Sequence, residues 1–430
     1  MSQPTVGFAG MTHLGIVSAT AVCVRGFPTV CFDADVALVD RLKRGDLPVV
    51  EPGLGDLLRA NGARQTFASN AAALQACDVI YIAADVPTDD AGNSDLSSIE
   101  ALIKTVAGSL RGDGVLVILC QVPPGFTRRM SAGLQPERLY YQVETLIFGR
   151  AVERATKPER YIVGCADPRR PVDARFRAVL AAFGCPILTM RYESAELAKI
   201  AINMCLVASI GVANTLAEIC ETVSADWSEI APALKLDQRI GRFSYLTPGL
   251  GIAGGNLERD LATVVRLADA HRTDAGIVRA WQGNSRHRRD WAARTIRRVL
   301  LHGKPDATVA IWGLAYKENT HSVKNSPSLA TIQQIGDVRL RVHDPVVPVS
   351  DAAHPRAEGF DDPLRALEGA DALMILTPWP QYRALLPADI AARLAGRIVL
   401  DPYAVLDGDA ARAAGLIHHT LGRPVEFVAS

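Results

Sequence analysis

Net charge, paired cysteines and long apolar runs are all lacking in this sequence. Its 430 residues contain 46 Lys+Arg and 46 Asp+Glu, so no overall field attracts nucleic acid or an acidic membrane surface. No apolar run approaches the roughly 18 residues that cross a membrane, and no basic and then apolar leader follows Met1. These absences predict a cytoplasmic protein that contacts neither nucleic acid nor membrane.

The eight cysteines are scattered, without Cys-x-x-Cys pairs or the Cys/His spacing of a metal site. We expect them to be reduced core residues, and we expect no metal site. The composition is that of an ordinary globular protein, with 49% hydrophobic and 21% charged residues. The length suits two or three domains of about 150 residues each.

A glycine turn near the N-terminus predicts a dinucleotide site. A short apolar run leads into Gly10-Met-Thr-His-Leu-Gly15, and a helical pattern follows. Thr12 stands where the second glycine of this fingerprint usually lies, which weakens the signal. The next apolar run ends at Asp33, about 20 residues on, where a carboxylate accepts hydrogen bonds from the ribose and disfavours a 2′-phosphate. This predicts NAD as cofactor, with Asp35 as an alternative to Asp33.

The glycine-rich stretch Thr247–Asp260 predicts a ligand loop, because glycines let the backbone approach a bound molecule. An ordinary surface loop is the alternative. Upstream, residues 194–221 predict a long, largely buried helix on which Lys199 and Asn203, four apart, share one face. The Arg- and His-rich residues 286–298 are interpreted as a solvated helix face.

The loop resembles the active-site loop of the nucleotide-sugar dehydrogenases (the UDP-glucose/GDP-mannose dehydrogenase family), Gly-Phe-Gly-Phe-Gly-Gly-Ser-Cys-Phe-Pro-Lys-Asp. Residues 249–260 match that pattern without a gap, but Asn256 occupies the place of the nucleophilic cysteine. Other segments match in order from about residue 5 to 405, among them Glu51-Pro-Gly-Leu54, Lys157-Pro-Glu-Arg160 and the strand taken as the last one, residues 398–401.

The resemblance implies an α/β fold with two Rossmann-like doubly wound domains joined by a central helical domain. It places an NAD-binding domain at residues 1–190, a central dimerisation domain with the active-site loop at 191–298, and a nucleotide-sugar-binding domain at 299–430. It also implies site residues: catalytic Glu144, Lys199, Asn203, Asn256 and Asp260; cofactor-binding Gly10, Thr12, Gly15, Asp33, Thr88, Gln121 and Lys324; substrate-binding Arg239 (towards a neighbouring subunit), Tyr245, Gly251 and Lys317.

Family members oxidise the C6 alcohol of a UDP- or GDP-hexose twice, and the second oxidation proceeds through a thiolate adduct. The amide of Asn256 cannot form that adduct. Further departures from the family pattern are found at Thr12, Gln121, Phe148, Lys324 and Tyr403. We therefore expect a homodimeric protein that uses NAD to oxidise a nucleotide sugar and stops at the aldehyde. The alternatives are an epimerase or lyase that returns the hydride, and a non-catalytic subunit that binds NAD or a nucleotide sugar.

Overall fold

Two mostly parallel β-sheets organise the chain, one in each of two units, residues 1–202 and 203–430. The computed structural model describes residues 3–89, 92–131, 134–253 and 255–424. The ligand-loop residue Gly254 lies outside these ranges. The α/β class with two Rossmann-like sheets, expected from the sequence, is confirmed.

The first unit contains an eight-stranded sheet in the order β3-β2-β1-β4-β5-β6-β7-β8, parallel except for the pair β6 and β7. The chain reverses its direction of winding between β1 and β4, which is where doubly wound sheets bind ligands. The strands are β1 Val6–Ala9, β2 Thr29–Phe32, β3 Gln65–Ala68, β4 Val79–Ile82, β5 Val115–Ile118, β6 Leu139–Gln142, β7 Tyr161–Cys165 and β8 Ile187–Arg191. The helices are α1 His13–Val24, α2 Val36–Lys43, α3 Leu54–Asn61, α4 Ser97–Ser109, α5 Phe126–Met130, α6 Ala151–Thr156 and α7 Ala174–Ala181.

The central strands of this sheet are apolar throughout because helices cover both faces. Every residue of β1, β4 and β5 is buried. Helix α1 packs on the sheet through small and apolar side chains, and ten of its 12 residues are buried. The carboxyl ends of the parallel strands consequently meet at one edge, which is where the candidate site residues lie.

Helix α8, Tyr192–Val223, is the long helix predicted from the sequence, but the prediction that it is largely buried is wrong. One stripe of large apolar side chains is 41–60% exposed, at Leu197, Val212, Leu216, Ile219 and Val223. By length and composition alone this helix also qualifies as a membrane span, with one third of its most apolar window buried. The expectation that no apolar segment is long enough therefore fails, because Gly and small polar residues interrupt the run without ending the helix.

The second unit contains a six-stranded parallel sheet in the order β11-β10-β9-β12-β13-β14. Its strands are β9 Thr308–Trp312, β10 Arg339–His343, β11 Ala357–Gly359, β12 Ala372–Ile375, β13 Ile398–Leu400 and β14 Ile417–His419. Its helices after α8 are α9 Trp227–Leu236, α10 Asn256–His271, α11 Gly276–Arg289, α12 Trp291–Ile296, α13 Pro327–Ile335, α14 Pro380–Arg383, α15 Pro387–Arg393 and α16 Gly408–Ala413.

Three expectations from the sequence need correction here. Strand β13 is not the last, because β14 pairs with it in parallel; β14 has only three residues, two of them histidine, which is too little pattern to detect. Arg288, assigned to a solvated face, is fully buried and paired with Glu218 and Glu221 of α8. All eight cysteines are free as expected, but Cys205 on α8 is exposed rather than in a core.

Candidate active site

The turn between β1 and α1 has the shape that a pyrophosphate requires. A Cβ on Gly10, whose φ is +94°, would lie 2.6 Å from the Cβ of Ala84. A Cβ on Gly15 would lie 1.8 Å from the carbonyl oxygen of Gly10. Only glycine therefore fits at either position. Thr12, in place of the middle glycine, is accommodated because its Oγ1 turns aside and accepts the backbone N–H of Asp85 at 2.8 Å.

Asp33 and Asp35, the two candidates for the ribose carboxylate, make different contacts. Asp33 follows β2 directly, and its Oδ2 accepts the backbone N–H of Met11 in the cofactor turn at 2.7 Å. Asp35 is the N-cap of α2, and its Oδ1 accepts the N–H of Leu38 at 3.1 Å. Asp33 is thus the carboxylate beside the turn.

A contact cluster around buried His13 and Glu51 was not anticipated. The imidazole of His13, the first residue of α1, lies 3.0 Å from the carboxylate of Glu51 and stacks on Phe148 with ring centroids 4.2 Å apart. Glu51 also accepts the backbone N–H groups of Gly149 (3.0 Å) and Ala151 (2.6 Å). Burial raises the pKa of Glu51, but these hydrogen bonds outweigh burial and leave the pKa below its ordinary value. The cluster ties the cofactor turn to the segment after β6.

Glu144 and Lys199, both expected to be catalytic, meet within the first unit. The Nζ of Lys199 is 2.7 Å from the Oε1 of Glu144, with side chains 10% and 16% exposed. The other oxygen of Glu144 accepts the N–H of Leu146 at 2.9 Å. A cavity of about 50 Å³ adjoins Glu144, which is room for a few water molecules. A base, a cation and water can therefore share this place.

The start of α8, which carries Lys199, is anchored by a glutamate that the sequence did not single out. Glu196 is fully buried, and its two oxygens accept the backbone N–H groups of Gly125 (2.6 Å) and Thr127 (2.8 Å). Burial raises the pKa of Glu196 even though these bonds oppose the change. This contact links α8 to the loop after β5, in which Gln121 lies.

In the second unit, Asn203 and Asp260 are brought together. The Nδ2 of Asn203 donates to the Oδ2 of Asp260 at 2.5 Å, and Asp260 is 1% exposed. The Nε of Arg259 lies 3.4 Å from the other oxygen of Asp260. Asn256 is exposed at the first position of α10, so it shares a helical face with Asp260. The predicted loop thus ends at Gly255 rather than continuing to Asp260.

The ligand loop is held by side chains from several helices. Asn214 of α8 accepts the N–H of Gly249 at 2.9 Å, and Ser285 of α11 accepts the N–H of Ile252 at 2.8 Å. A Cβ on Gly251, whose φ is +73°, would lie 2.4 Å from the carbonyl oxygen of Ser285. Trp227 of α9 donates to the carbonyl of Leu246 at 2.7 Å. Side chains of three helices therefore hold the described residues of the loop.

Glu258, where the family pattern has proline, adds a charged tie at the start of α10. It accepts from the guanidinium of Arg289 at 2.8 Å and from the side chain of Asn325. Arg289 also donates to the carbonyl of Ile252 at 3.1 Å. One carboxylate consequently joins the end of the ligand loop to α11 and to the segment before α13.

Tyr403, where the family has arginine, is half-buried and hydrogen-bonded to the backbone of Leu250 in the ligand loop. Burial raises the pKa of its hydroxyl, so the position offers no charge to a substrate. Of the expected substrate residues, Tyr245 is 47% exposed. The side chain of Arg239 is 88% exposed and pairs with Asp237.

A second glycine turn follows β9 and has the same two features as the first, a glycine with positive φ and an aspartate that accepts backbone N–H groups. A Cβ on Gly313, whose φ is +97°, would lie 2.4 Å from the Cβ of Thr377. Asp344, after β10, accepts the N–H groups of Leu314 (2.7 Å) and Ala315 (3.2 Å). The Nζ of Lys317 lies 5.6 Å from the ring centroid of Tyr316, and the side chain of Lys324 passes near Gly255.

The structure groups the expected residues by unit. Around the carboxyl edge of the first sheet lie Gly10, Thr12, Gly15, Asp33, Thr88, Gln121 and Glu144, together with Lys199. The second unit holds Asn203, Arg239, Tyr245, Gly251, Asn256, Asp260, Lys317 and Lys324. Among the described residues, no group of three or more His, Cys, Asp or Glu side chains could hold a metal ion.

The chain matches three sequence models of one family. The NAD-binding domain of the UDP-glucose/GDP-mannose dehydrogenase family matches residues 4–183, its central domain 193–285 and its UDP-binding domain 310–408.

Known relatives resemble the chain over nearly its whole length. The UDP-glucose 6-dehydrogenase TuaD of Bacillus subtilis is 30% identical, over 97% of this chain and 93% of the relative. The UDP-glucose 6-dehydrogenase of Pseudomonas aeruginosa is also 30% identical, over 96% of each. Among solved structures, a UDP-glucose dehydrogenase from Pyrobaculum islandicum superposes with a TM-score of 0.84, at 27% identity over 95% of this chain and 98% of that one.

The two Rossmann-like sheets and the match to named dehydrogenases over nearly the whole chain identify an NAD-dependent oxidoreductase that acts on a CH–OH group. The chain belongs to the UDP-glucose/GDP-mannose dehydrogenase family, and its cofactor is NAD and its substrate a nucleotide sugar.

Proposed function

We propose that this protein oxidises the C6 alcohol of a UDP-hexose by two electrons and releases the aldehyde or its hydrate with one NADH. The names of the relatives and the UDP-binding domain support a UDP-sugar as substrate. The observation that carries the proposal is Asn256, exposed at the start of α10 on the helical face of Asp260. An amide at that place cannot add to the aldehyde, so the covalent route to the acid is closed.

The first oxidation requires only groups that the chain retains. The alcohol loses its hydroxyl proton to a base and its C6 hydride to NAD, which yields the aldehyde and NADH. We assign the base to the Glu144 site with its adjoining water cavity, and oxyanion stabilisation to Lys199. Asn203 and Asp260, joined at 2.5 Å, are assigned to positioning the reacting end of the sugar.

The division into domains at residues 1–190, 191–298 and 299–430 is part of this proposal. The three family models fall one within each of these ranges, which supports it. The exposed apolar stripe on α8 supports a homodimer formed through the central domain. Arg239, exposed just after α9, is assigned to the substrate of the neighbouring subunit, and a cytoplasmic location remains our expectation.

The test is to incubate the protein with NAD and UDP-glucose, and then with other nucleotide sugars, while NADH absorbance and product mass are followed together. We expect one NADH per sugar consumed and a product two mass units lighter than the substrate, or its hydrate. Two NADH with a uronic acid would contradict the proposal. A changed sugar without NADH would favour hydride return, and no turnover with any sugar would favour a binding subunit.

Asn256→Cys is the matched variant. If the missing thiol is what stops the reaction, this variant forms a covalent adduct with the aldehyde that is detectable by mass spectrometry of the intact protein. Wild type treated in the same way should show none.

A further inference from the structure

The start of α1 offers a small number of backbone donors to the cofactor. Ile16 is the first residue whose N–H bonds to a carbonyl one turn back, that of Thr12 at 3.0 Å. The N–H groups of His13, Leu14 and Gly15 therefore lack acceptors within the helix. A pyrophosphate binds at such a place because these donors and the helix dipole both attract negative charge.

One of these N–H groups already donates to a carboxylate side chain. The Oδ2 of Asp85 lies 3.4 Å from the backbone nitrogen of Leu14 and accepts its hydrogen bond. Asp85 follows β4, the neighbour of β1 at the switch point of the sheet, so its carboxylate points into the place where the cofactor must approach. Its side chain is exposed and has room to move aside.

Thr12 holds Asp85 in this position. The Oγ1 of Thr12 accepts the backbone N–H of Asp85 at 2.8 Å, which draws the loop after β4 against the turn. A glycine at position 12 has no side-chain oxygen to accept this hydrogen bond. The departure from the glycine fingerprint at Thr12 and the carboxylate at the helix terminus are thus parts of one arrangement.

We propose that Asp85 sets the affinity for NAD by competing with the pyrophosphate for the Leu14 N–H at the start of α1. NAD binds only after the carboxylate has left this donor, and the displaced charge then lies beside the two negative charges of the pyrophosphate. The inference rests on NAD as cofactor and is independent of which sugar is oxidised and how far.

The test is calorimetric titration of the full-length protein with NAD, comparing wild type with Asp85→Asn. Asparagine keeps an acceptor for Leu14 but removes the charge. Loss of one like charge a few ångströms from the pyrophosphate is expected to tighten binding about tenfold. Salt screens such repulsion, so the gain should shrink as ionic strength rises.

Two controls separate this effect from a general change of charge. Asp113→Asn removes an exposed carboxylate at the opposite, amino edge of the same sheet and should leave the affinity for NAD unchanged. Titration with ADP, which carries the pyrophosphate without the nicotinamide, should reproduce the gain in Asp85→Asn. Thr12→Ala, which frees the Asp85 loop while keeping its charge, should give a smaller gain than Asp85→Asn.

Equal affinity in wild type and Asp85→Asn, with a native circular dichroism spectrum, would overturn the proposal. Weaker binding in Asp85→Asn would overturn it as well, because it would make the carboxylate a ligand of the cofactor rather than its competitor. A gain that is the same at low and high salt would also count against it, since repulsion between exposed charges must be screened.

Discussion

At the scale of single residues, the positions that match the family pattern and one that departs from it both make specific contacts in the fold. Lys199 and Glu144 form a buried pair at 2.7 Å, and Asn203 is bonded to Asp260 at 2.5 Å. Asn256 stands in place of the thiol, and Tyr403 uses its hydroxyl to hold the ligand loop. The altered position at Tyr403 is thus engaged in the fold, which argues against random decay of a disused site.

We expect Lys199→Met to lower kcat for NADH formation about 100-fold or more, because it removes the cation assigned to the developing oxyanion. Lys157→Met, which removes an exposed lysine from the same unit, is the control and should leave kcat unchanged. Steady-state absorbance of NADH measures both.

Truncating Lys199 removes the cation that lies 2.7 Å from the largely buried Glu144 carboxylate, which is destabilising. The double variant Lys199→Met with Glu144→Gln removes both charges and should restore the melting temperature without restoring activity. Wild-type kcat in a folded Lys199→Met protein would refute the assignment.

At the scale of elements, the edge strand β14 of the second sheet ends in a buried histidine, and protonation of this histidine opposes folding. His419 of β14 is 3% exposed, and its Nδ1 is buried without a hydrogen-bond partner among the described residues. Burial, with Arg298 and His418 nearby, lowers the pKa of His419 to about 4. Its neighbour His418 instead bonds to buried Asp401 at 3.1 Å.

This shift predicts a loss of stability in acid. The unfolded chain takes up the proton of His419 near its ordinary pKa of about 6.5, whereas the folded chain resists protonation until about pH 4. The free energy of unfolding is therefore unaffected by this group above about pH 6.5. It decreases as the pH falls towards 4, by up to about 3 kcal/mol. His419→Leu should flatten this part of the curve of unfolding free energy against pH.

Urea unfolding at several pH values between 4 and 7.5 measures the slope of the unfolding free energy against pH. His302→Asn, at an exposed histidine, is the control and should retain the wild-type slope. A slope in His419→Leu as steep as in wild type would show that another group causes the acid sensitivity.

At the scale of the whole molecule, α8 exposes a stripe of large apolar side chains of the kind that marks an interaction surface. Val212, Leu216, Ile219 and Val223 recur every three or four residues, so they line one face. A second copy of the same face would cover it in a two-fold arrangement. This stripe belongs to the helix that also carries Lys199, so the proposed dimer interface and the proposed oxyanion-stabilising lysine lie on one element.

We expect wild type to be a dimer at micromolar concentration and Leu216→Glu to be a monomer, since a charge in the centre of an apolar interface is costly to bury. Light scattering during size-exclusion chromatography gives the mass. Leu386→Glu places the same charge at an apolar residue that is 64% exposed in the second sheet's domain and should remain dimeric. A wild-type monomer would refute the proposed interface.

The sequence by itself determined the glycine turn after the first strand, Asp33 beside it, the long helix with Lys199 and Asn203, and the family. These features depend on neighbours within a few residues, or on motifs that survive as runs. The tertiary structure alone decided that His13 pairs with Glu51, that Asp85 reaches Leu14 and that Arg288 is buried between helices. Those partners lie 38, 71 and 67 residues apart, and strand order and helix packing, rather than local pattern, bring them together. A three-residue strand such as β14 likewise exists only because β13 offers it an open edge to pair with.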